Sequence, residues 1–178
     1  LQFRKDRNKT SNGEVRITIN DLIIKASTLA LLKYPAFNSH YSNGKIKINP
    51  QINIGVAIAL DDGLIAPAIL DCNSKNLEQI SLASHDLVDR AKNGVLKPQE
   101  YTDATIAISN LGMFDIDSFI AIINPLQSAT IGVGSVIKQP VVRADKLAIA
   151  EIMQATLSAD HRVVNGAEAA QFINEIKL

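Results

Sequence analysis

Four extended apolar runs crowd into residues 104–158: ATIAIS (104–109), SATIGV (128–133), VIKQPVVR (136–143) and LAIAEIMQATLS (147–158). Strand-length segments so close together must pair to satisfy their backbone groups, which commits the chain to a sheet. Helix-period segments lie on either side of them. Leu22, Ile23, Ala26, Leu29 and Ala30 share one helical face, with Asn20 placed to cap its start and Pro35 to close it. Ser74 opens a second helix whose stripe is Leu77, Ile80, Leu87, Val88 and Ala91, with Gly94 past its end. A third covers Gly166–Ile176, where Ala169, Phe172, Ile173 and Ile176 fall on one side. Helices interleaved with hairpins predict an α/β fold, a two-layer sandwich of a mixed β-sheet with helices.

The rest of the chain fits that plan. NIGVAIAL (53–60) and LIAPAIL (64–70) are joined by Asp61-Asp62-Gly63, a hairpin signal. Pro67 cannot donate to a ladder and belongs at an edge or a bulge. Alternation in Lys45-Ile46-Lys47-Ile48 predicts a strand after Ser42-Asn43-Gly44, and Pro98 opens a short helical turn through Tyr101. The stretch NLGMFDIDSFIAIINP (110–125) is too irregular for one element. Residues 1–15 are polar and basic, and are expected to form an exposed arm or loop before a single domain over 16–178. A start at Leu1, without an initiator Met, reads as a fragment of a longer polypeptide.

Composition removes several functions. Eighteen basic and 18 acidic residues cancel, so the chain offers no field for a phosphate backbone and no nucleic-acid partner is expected. Aromatics are 4% of residues with no Trp, too few for base stacking. No apolar run approaches the roughly 20 residues of a membrane span, so no membrane partner is expected. Cys72 is the only cysteine, which excludes an intrachain disulfide and a cysteine zinc site. No GxGxxG, GxxxxGK[ST] or GxSxG occurs, and His40, His85 and His161 lack ligand spacing, so no metal is expected.

Three residues stand out for chemistry. His161 follows a long apolar strand, inside Ser158-Ala159-Asp160-His161-Arg162-Val163-Val164-Asn165-Gly166. A strand end, a tight turn and a helix start can hold an imidazole rigidly at a cleft. A histidine packed at a strand end beside an Asp160–Arg162 ion pair fits the same pattern. Asn165, with Glu168 three positions on, has the form of a capping box and reads first as a cap. Ser109 closes a strand before Asn110-Leu111-Gly112. It can serve as an oxyanion donor or as an ordinary turn hydrogen-bonder. His40 reads as a solvated loop residue and His85 as part of a polar helix face.

The stretch LSADHRVVNGAEAAQFI resembles the C-terminal signature of the dihydrolipoyl acyltransferases, the core subunits of 2-oxo acid dehydrogenase complexes. Their pattern is His, three residues, Asp or Asn, then Gly, matched by His161, Asn165 and Gly166. ISNLGMFDIDSFIAIINPLQSATIGVG (108–134) resembles the family's Ser-x-Leu-Gly block, and residues 53–70 with 75–101 its central hairpin and helix. The likeness covers about residue 20 to the C-terminus.

The resemblance implies a chloramphenicol acetyltransferase-like fold that forms trimers, and trimers that assemble into a larger hollow core. It implies acyl transfer between a dihydrolipoyl-lysine arm, carried on a separate lipoyl domain, and coenzyme A. The partners would be that lipoyl domain and the 2-oxo acid decarboxylase and dihydrolipoyl dehydrogenase components. Lipoyl and peripheral-subunit-binding domains, like the family's first strand, would lie outside this chain. His161 would be the general base on the coenzyme A thiol. Ser109 would be the oxyanion donor, worth roughly 2.7–4 kcal/mol, and would meet His161 across the trimer interface. Asn165 would orient or hydrogen-bond, since an amide carries no charge, and Asp62 and Phe119 would line the coenzyme A path. The setting would be the cytoplasm of a prokaryote or the mitochondrial matrix of a eukaryote. Two other readings fit the same residues: a non-catalytic core protein, and an acetyltransferase for a small acceptor.

Overall fold

The computed structural model describes residues 2–10, 15–60 and 63–177. In chain order they form α1 (Gln2–Thr10), α2 (Ile19–Lys33), β1 (Ser39–Ser42), β2 (Lys45–Ile48), β3 (Ile54–Val56), β4 (Ile58–Leu60), β5 (Gly63–Ile65) and β6 (Ala68–Ile69). Then come α3 (Leu77–Lys92), α4 (Pro98–Thr102), β7 (Ile106–Asn110), β8 (Ala129–Arg143), β9 (Lys146–Ala159) and α5 (Gly166–Ile176). Five strands form one sheet in the order β6-β3-β7-β8-β9. The inner pairs β3–β7 and β7–β8 are parallel and the outer pairs β3–β6 and β8–β9 antiparallel, so the sheet is mixed as expected.

The two faces of the sheet do different jobs. Ile54, Ile106, Ile108, Ile131 and Val133 pack against Ile24 and Leu31 of α2, Ile80 and Leu87 of α3 and Phe172 of α5. Phe37 stacks on Phe172 at 4.3 Å between ring centroids, and Tyr34 meets the same ring edge-on at 6.2 Å. Ala107, Ser109, Thr130, Gly132, Thr156 and Ser158 share the opposite face, because paired residues and every second residue of a strand point the same way. Residues 129–135 of β8 are therefore buried on both faces, whereas its outer half alternates. Val142, Leu147 and Ile149 lie exposed on the arm that β8 and β9 extend beyond the sheet.

Register shifts between Val133 and Val136, and this irregularity seats the segment that follows β7. Ser135 N donates to Ile116 O at 2.8 Å and Leu111 N to Val133 O at 3.0 Å. A Cβ on Gly134 would stand 1.9 Å from Asp117 O, so only glycine admits this approach.

Several local expectations need correction. Residues 2–10 are helical, and that helix is tied down: Asn8 donates from Nδ2 to Ile17 O (2.9 Å) and accepts at Oδ1 from Ile17 N (2.8 Å). Thr18, not Asn20, caps α2, because Thr18 and Asp21 satisfy each other's backbone N–H groups reciprocally. Asn76 with Gln79 does the same for α3, while Ser74 sits in a 3₁₀ turn upstream. The two apolar runs of 53–70 each break in two: β4 pairs with β5 as the expected hairpin, and β3 pairs separately with edge strand β6. Asp61 and Asp62 lie outside the described residues. The cap of α5 and the span Gly166–Ile176 are as expected.

One ion pair ties α3 to α4. Arg90 donates from Nη1 and Nη2 to the Glu100 carboxylate at 2.6 and 2.7 Å. Glu100 is 6% exposed, so losing its partner strands a buried charge. Arg90→Ala is expected to cost about 3 kcal/mol in urea unfolding at pH 7, the low end for a buried pair because the arginine is partly exposed. Hydrogen bonds from Arg90 hold the Glu100 carboxyl below the usual carboxylate range. A depressed folded pKa stabilises above the unfolded value and is lost as pH falls through the folded one. Acid unfolding of Glu100→Gln is therefore expected to lose the portion of its pH dependence below about pH 4.3, the unfolded value of Glu.

Candidate functional site

β9 delivers its C-terminal end to a tight turn. Asp160 N donates to Ser128 O (2.8 Å), and Val163 N and Val164 N donate back to Asp160 O (2.9 and 3.1 Å). Val164 is buried and Asn165 opens α5, so both ends of the turn are fixed and His161 projects from its exposed tip. Asp160 accepts from Arg162 Nη2 at 2.7 Å and from Arg162 N at 3.0 Å. Those bonds, the side-chain ones first, hold the Asp160 carboxyl below its ordinary range. Arg162 also lies over the Tyr41 ring, 4.5 Å from its centroid. The expected flanking ion pair is thus present, and it leaves the His161 imidazole free to face a cavity.

That cavity has a volume of about 470 Å³ and is lined by His40, Tyr41, residues 123–127 and residues 159–162. His40 is therefore not a loop residue. It stands in β1 opposite Lys47, and its neighbour Tyr41 carries Arg162. The signal for this hairpin was in the sequence: Asn43-Gly44 takes left-handed φ values of 52° and 74°, the two-residue turn that such a dipeptide favours.

Ser109 lies in β7 opposite Gly132 and lines a second cavity of about 520 Å³. Residues 124–127 border both cavities, and Leu126 adopts a left-handed φ of 65° in that dividing wall. Within one protomer Ser109 and His161 face different cavities, and no hydrogen bond joins them among the described residues. Gln127 and Thr130, which no motif pointed to, line the Ser109 cavity, and each has a buried polar atom without a partner.

The remaining candidates are placed as follows. Asn165 Oδ1 accepts from Glu168 N (3.0 Å) and Glu168 Oε2 from Asn165 N (3.1 Å), a complete capping box. Asn165→Ala is expected to lower stability by about 1 kcal/mol, read as a drop in Tm. Phe119 covers the sheet over Gly132 and accepts at its carbonyl from Thr156 Oγ1 (2.5 Å), and it lines neither cavity. Asp62 lies outside the described residues, and His85 is half-buried on α3. Burial pushes the Cys72 thiol up to about 11, which keeps it unreactive. No helix among the described residues is long and apolar enough to cross a membrane.

A family model described as 2-oxoacid dehydrogenases acyltransferase (catalytic domain) matches residues 1–178, so the likeness extends into the N-terminal residues that its motifs left out. The dihydrolipoyllysine-residue acetyltransferase component of the pyruvate dehydrogenase complex of Rickettsia felis is 41% identical over 99% of this chain and 43% of its own length. Its mitochondrial counterpart in Schizosaccharomyces pombe is 40% identical over 99% of this chain and 37% of its own. The chain thus spans less than half of the curated relatives it matches.

Among solved structures, the Azotobacter vinelandii dihydrolipoamide acetyltransferase superposes with TM-score 0.93 and 29% identity, over 98% of this chain and 73% of that one. That structure comes from work on the role of a serine, a histidine and an asparagine in its catalytic mechanism. The cubic core of the pyruvate dehydrogenase multienzyme complex matches with TM-score 0.93 and 30% identity over 98% of this chain and 73% of that one. A chloramphenicol acetyltransferase matches with TM-score 0.59 and 14% identity over 98% of this chain and 81% of that one, a likeness of fold alone.

Proposed function

The chain belongs to the family of 2-oxoacid dehydrogenase acyltransferase catalytic domains, and on that footing we propose that it transfers an acetyl group between a dihydrolipoyl-lysine arm and coenzyme A, as the core of a 2-oxo acid dehydrogenase complex. One observation carries the site assignment. Ser109 precedes His161 by 52 positions and Asn165 follows it by four, the spacings of the serine, histidine and asparagine studied in the Azotobacter vinelandii enzyme. The names of the curated relatives support acetyl as the acyl group.

In this mechanism the neutral His161 imidazole takes the proton from the coenzyme A thiol. The thiolate attacks the carbonyl of the acetyl thioester on the lipoyl arm. Charge collects on the carbonyl oxygen of the tetrahedral intermediate, where the Ser109 hydroxyl donates a hydrogen bond. Collapse breaks the bond to the lipoyl sulfur, and the imidazolium returns its proton to that leaving thiolate. Acetyl-coenzyme A and the dihydrolipoyl arm result, with every proton accounted for. Asn165 caps α5 and so fixes the far end of the histidine turn. Asp62 and Phe119 remain proposed contacts on the coenzyme A path.

The separation of the two cavities fits a site shared between protomers, with His161 of one copy facing Ser109 of the next. A cyclic trimer repeats such a contact three times around its axis in this proposal, and trimers would build the multimeric core. The lipoyl domain and the decarboxylase and dihydrolipoyl dehydrogenase components would act on that core, in a bacterial cytoplasm or a mitochondrial matrix. Acetyl transfer from acetyl-coenzyme A to free dihydrolipoamide, with light scattering on the same sample, tests the reading. Turnover by a trimer or larger assembly is expected, and an assembled but inactive protein would refute it.

A further inference from the structure

On the hydroxyl-bearing face of the sheet, Thr130 has a buried hydroxyl without a partner. Thr156 Oγ1 and Ser158 Oγ each donate at 2.5 Å to the covering segment, at Phe119 O and Ala121 O. Thr130 is paired with Ala107 on one side and Ser158 on the other, on this same face. It is 3% exposed, and its Oγ1 has no hydrogen-bond partner. Gln127 presents a second such atom: its Nε2 donates to Ala104 O (3.2 Å), which leaves the buried Oε1 unpaired. Both residues line the Ser109 cavity, whose other walls include Ala57, Leu64 and Ile122. Buried polar atoms are ordinarily satisfied, so two unpaired ones on residues that line one cavity point to a ligand that supplies both partners.

The chemistry of the two atoms is complementary to one group. Gln127 Oε1 only accepts and requires an N–H, while the Thr130 hydroxyl can donate to a carbonyl. A carboxamide flanked by methylenes offers N–H, C=O and apolar chain in the right combination. We propose that Thr130 and Gln127 form an amide-binding subsite in the Ser109 cavity that positions a thiol substrate. The subsite rests on the acyl-transfer reading above, whose two thiol substrates both carry an amide on an aliphatic chain.

The test measures KM and kcat of the assembled protein with coenzyme A varied in one arm and dihydrolipoamide in the other. Thr130→Val keeps the side-chain shape and removes the hydroxyl. It is expected to raise KM about tenfold for the substrate whose amide sits there, with kcat changed less than about twofold. Tm is expected to hold or rise, because the variant removes a buried unsatisfied hydroxyl. Thr130→Ser is expected to keep the wild-type KM. With the wild-type chain, replacing the amide of that same substrate by a methylene should give the same rise, a measurement that needs no variant to fold. Unchanged KM in both arms, or a change confined to kcat, overturns the subsite while leaving acyl transfer intact. An assembled wild-type protein that transfers nothing in either arm removes the acyl-transfer reading and the subsite with it.

Discussion

His161→Ala is expected to lower kcat by at least about 10², the range of a lost general base. The thiol must lose its proton before it can attack, and among the residues of that cavity His161 stands free on a braced turn. Asp160 is held ionised by Arg162 and already accepts its hydrogen bonds, so it makes a poor substitute base. Because His161 is exposed at the tip of a turn that backbone hydrogen bonds maintain, the variant should fold with an unchanged Tm. Steady-state kinetics with both thiols, beside a melting curve, check this. Near-full turnover would exclude His161 as the base.

Ser109→Ala is expected to lower kcat by about 10²–10³, the cost of removing one oxyanion donor, with little change in the KM for coenzyme A. In the proposed mechanism the hydroxyl acts on charge that develops only on the way to the tetrahedral intermediate, so ground-state binding should not register its loss. A change confined to KM would mean that Ser109 binds rather than catalyses. The two variants together probe the architecture. If each site takes its serine from one protomer and its histidine from the next, co-assembly of Ser109→Ala with His161→Ala subunits rebuilds intact sites. Equal, random mixing should restore about a quarter of wild-type activity per site. Mixed assemblies no more active than either parent would put both residues' work within one protomer.

Local chemistry was readable from the chain where it decided the structure. The capping box at Asn165 and Glu168 and the end of α3 before Gly94 both depend on residues close in sequence, whereas the runs 128–133 and 136–143, read as two strands, form the single strand β8. Sequence and structure part where two local signals compete. Thr18 and Asn20 both suit a helix start, and only the reciprocal bond to Asp21 separates them. The N-terminal arm reads as loop by composition, yet it is held as helix by the exchange between Asn8 and Ile17 and by the Arg7–Glu78 pair.

What lay beyond reach was long-range. Parallel placement of β7 between β3 and β8 brings Ser109 opposite Gly132 and Thr130 beside Ala107, positions 20 or more apart in the chain with no periodic signature. For the same reason His40 reads as solvated from its local sequence, whereas β1 brings it to the cavity of the histidine turn.

A four-residue partition, Asn124 to Gln127, separates the chamber of His161 from the chamber of Ser109 and touches both. On the proposed acyl-transfer reading, a change to this partition therefore alters the fit of both thiols at once. A substitution that reshapes one side of the partition displaces the other, so selection acting on the fit in one chamber would shift the fit in the other. Lineages that alter this stretch are bound to retune both in concert.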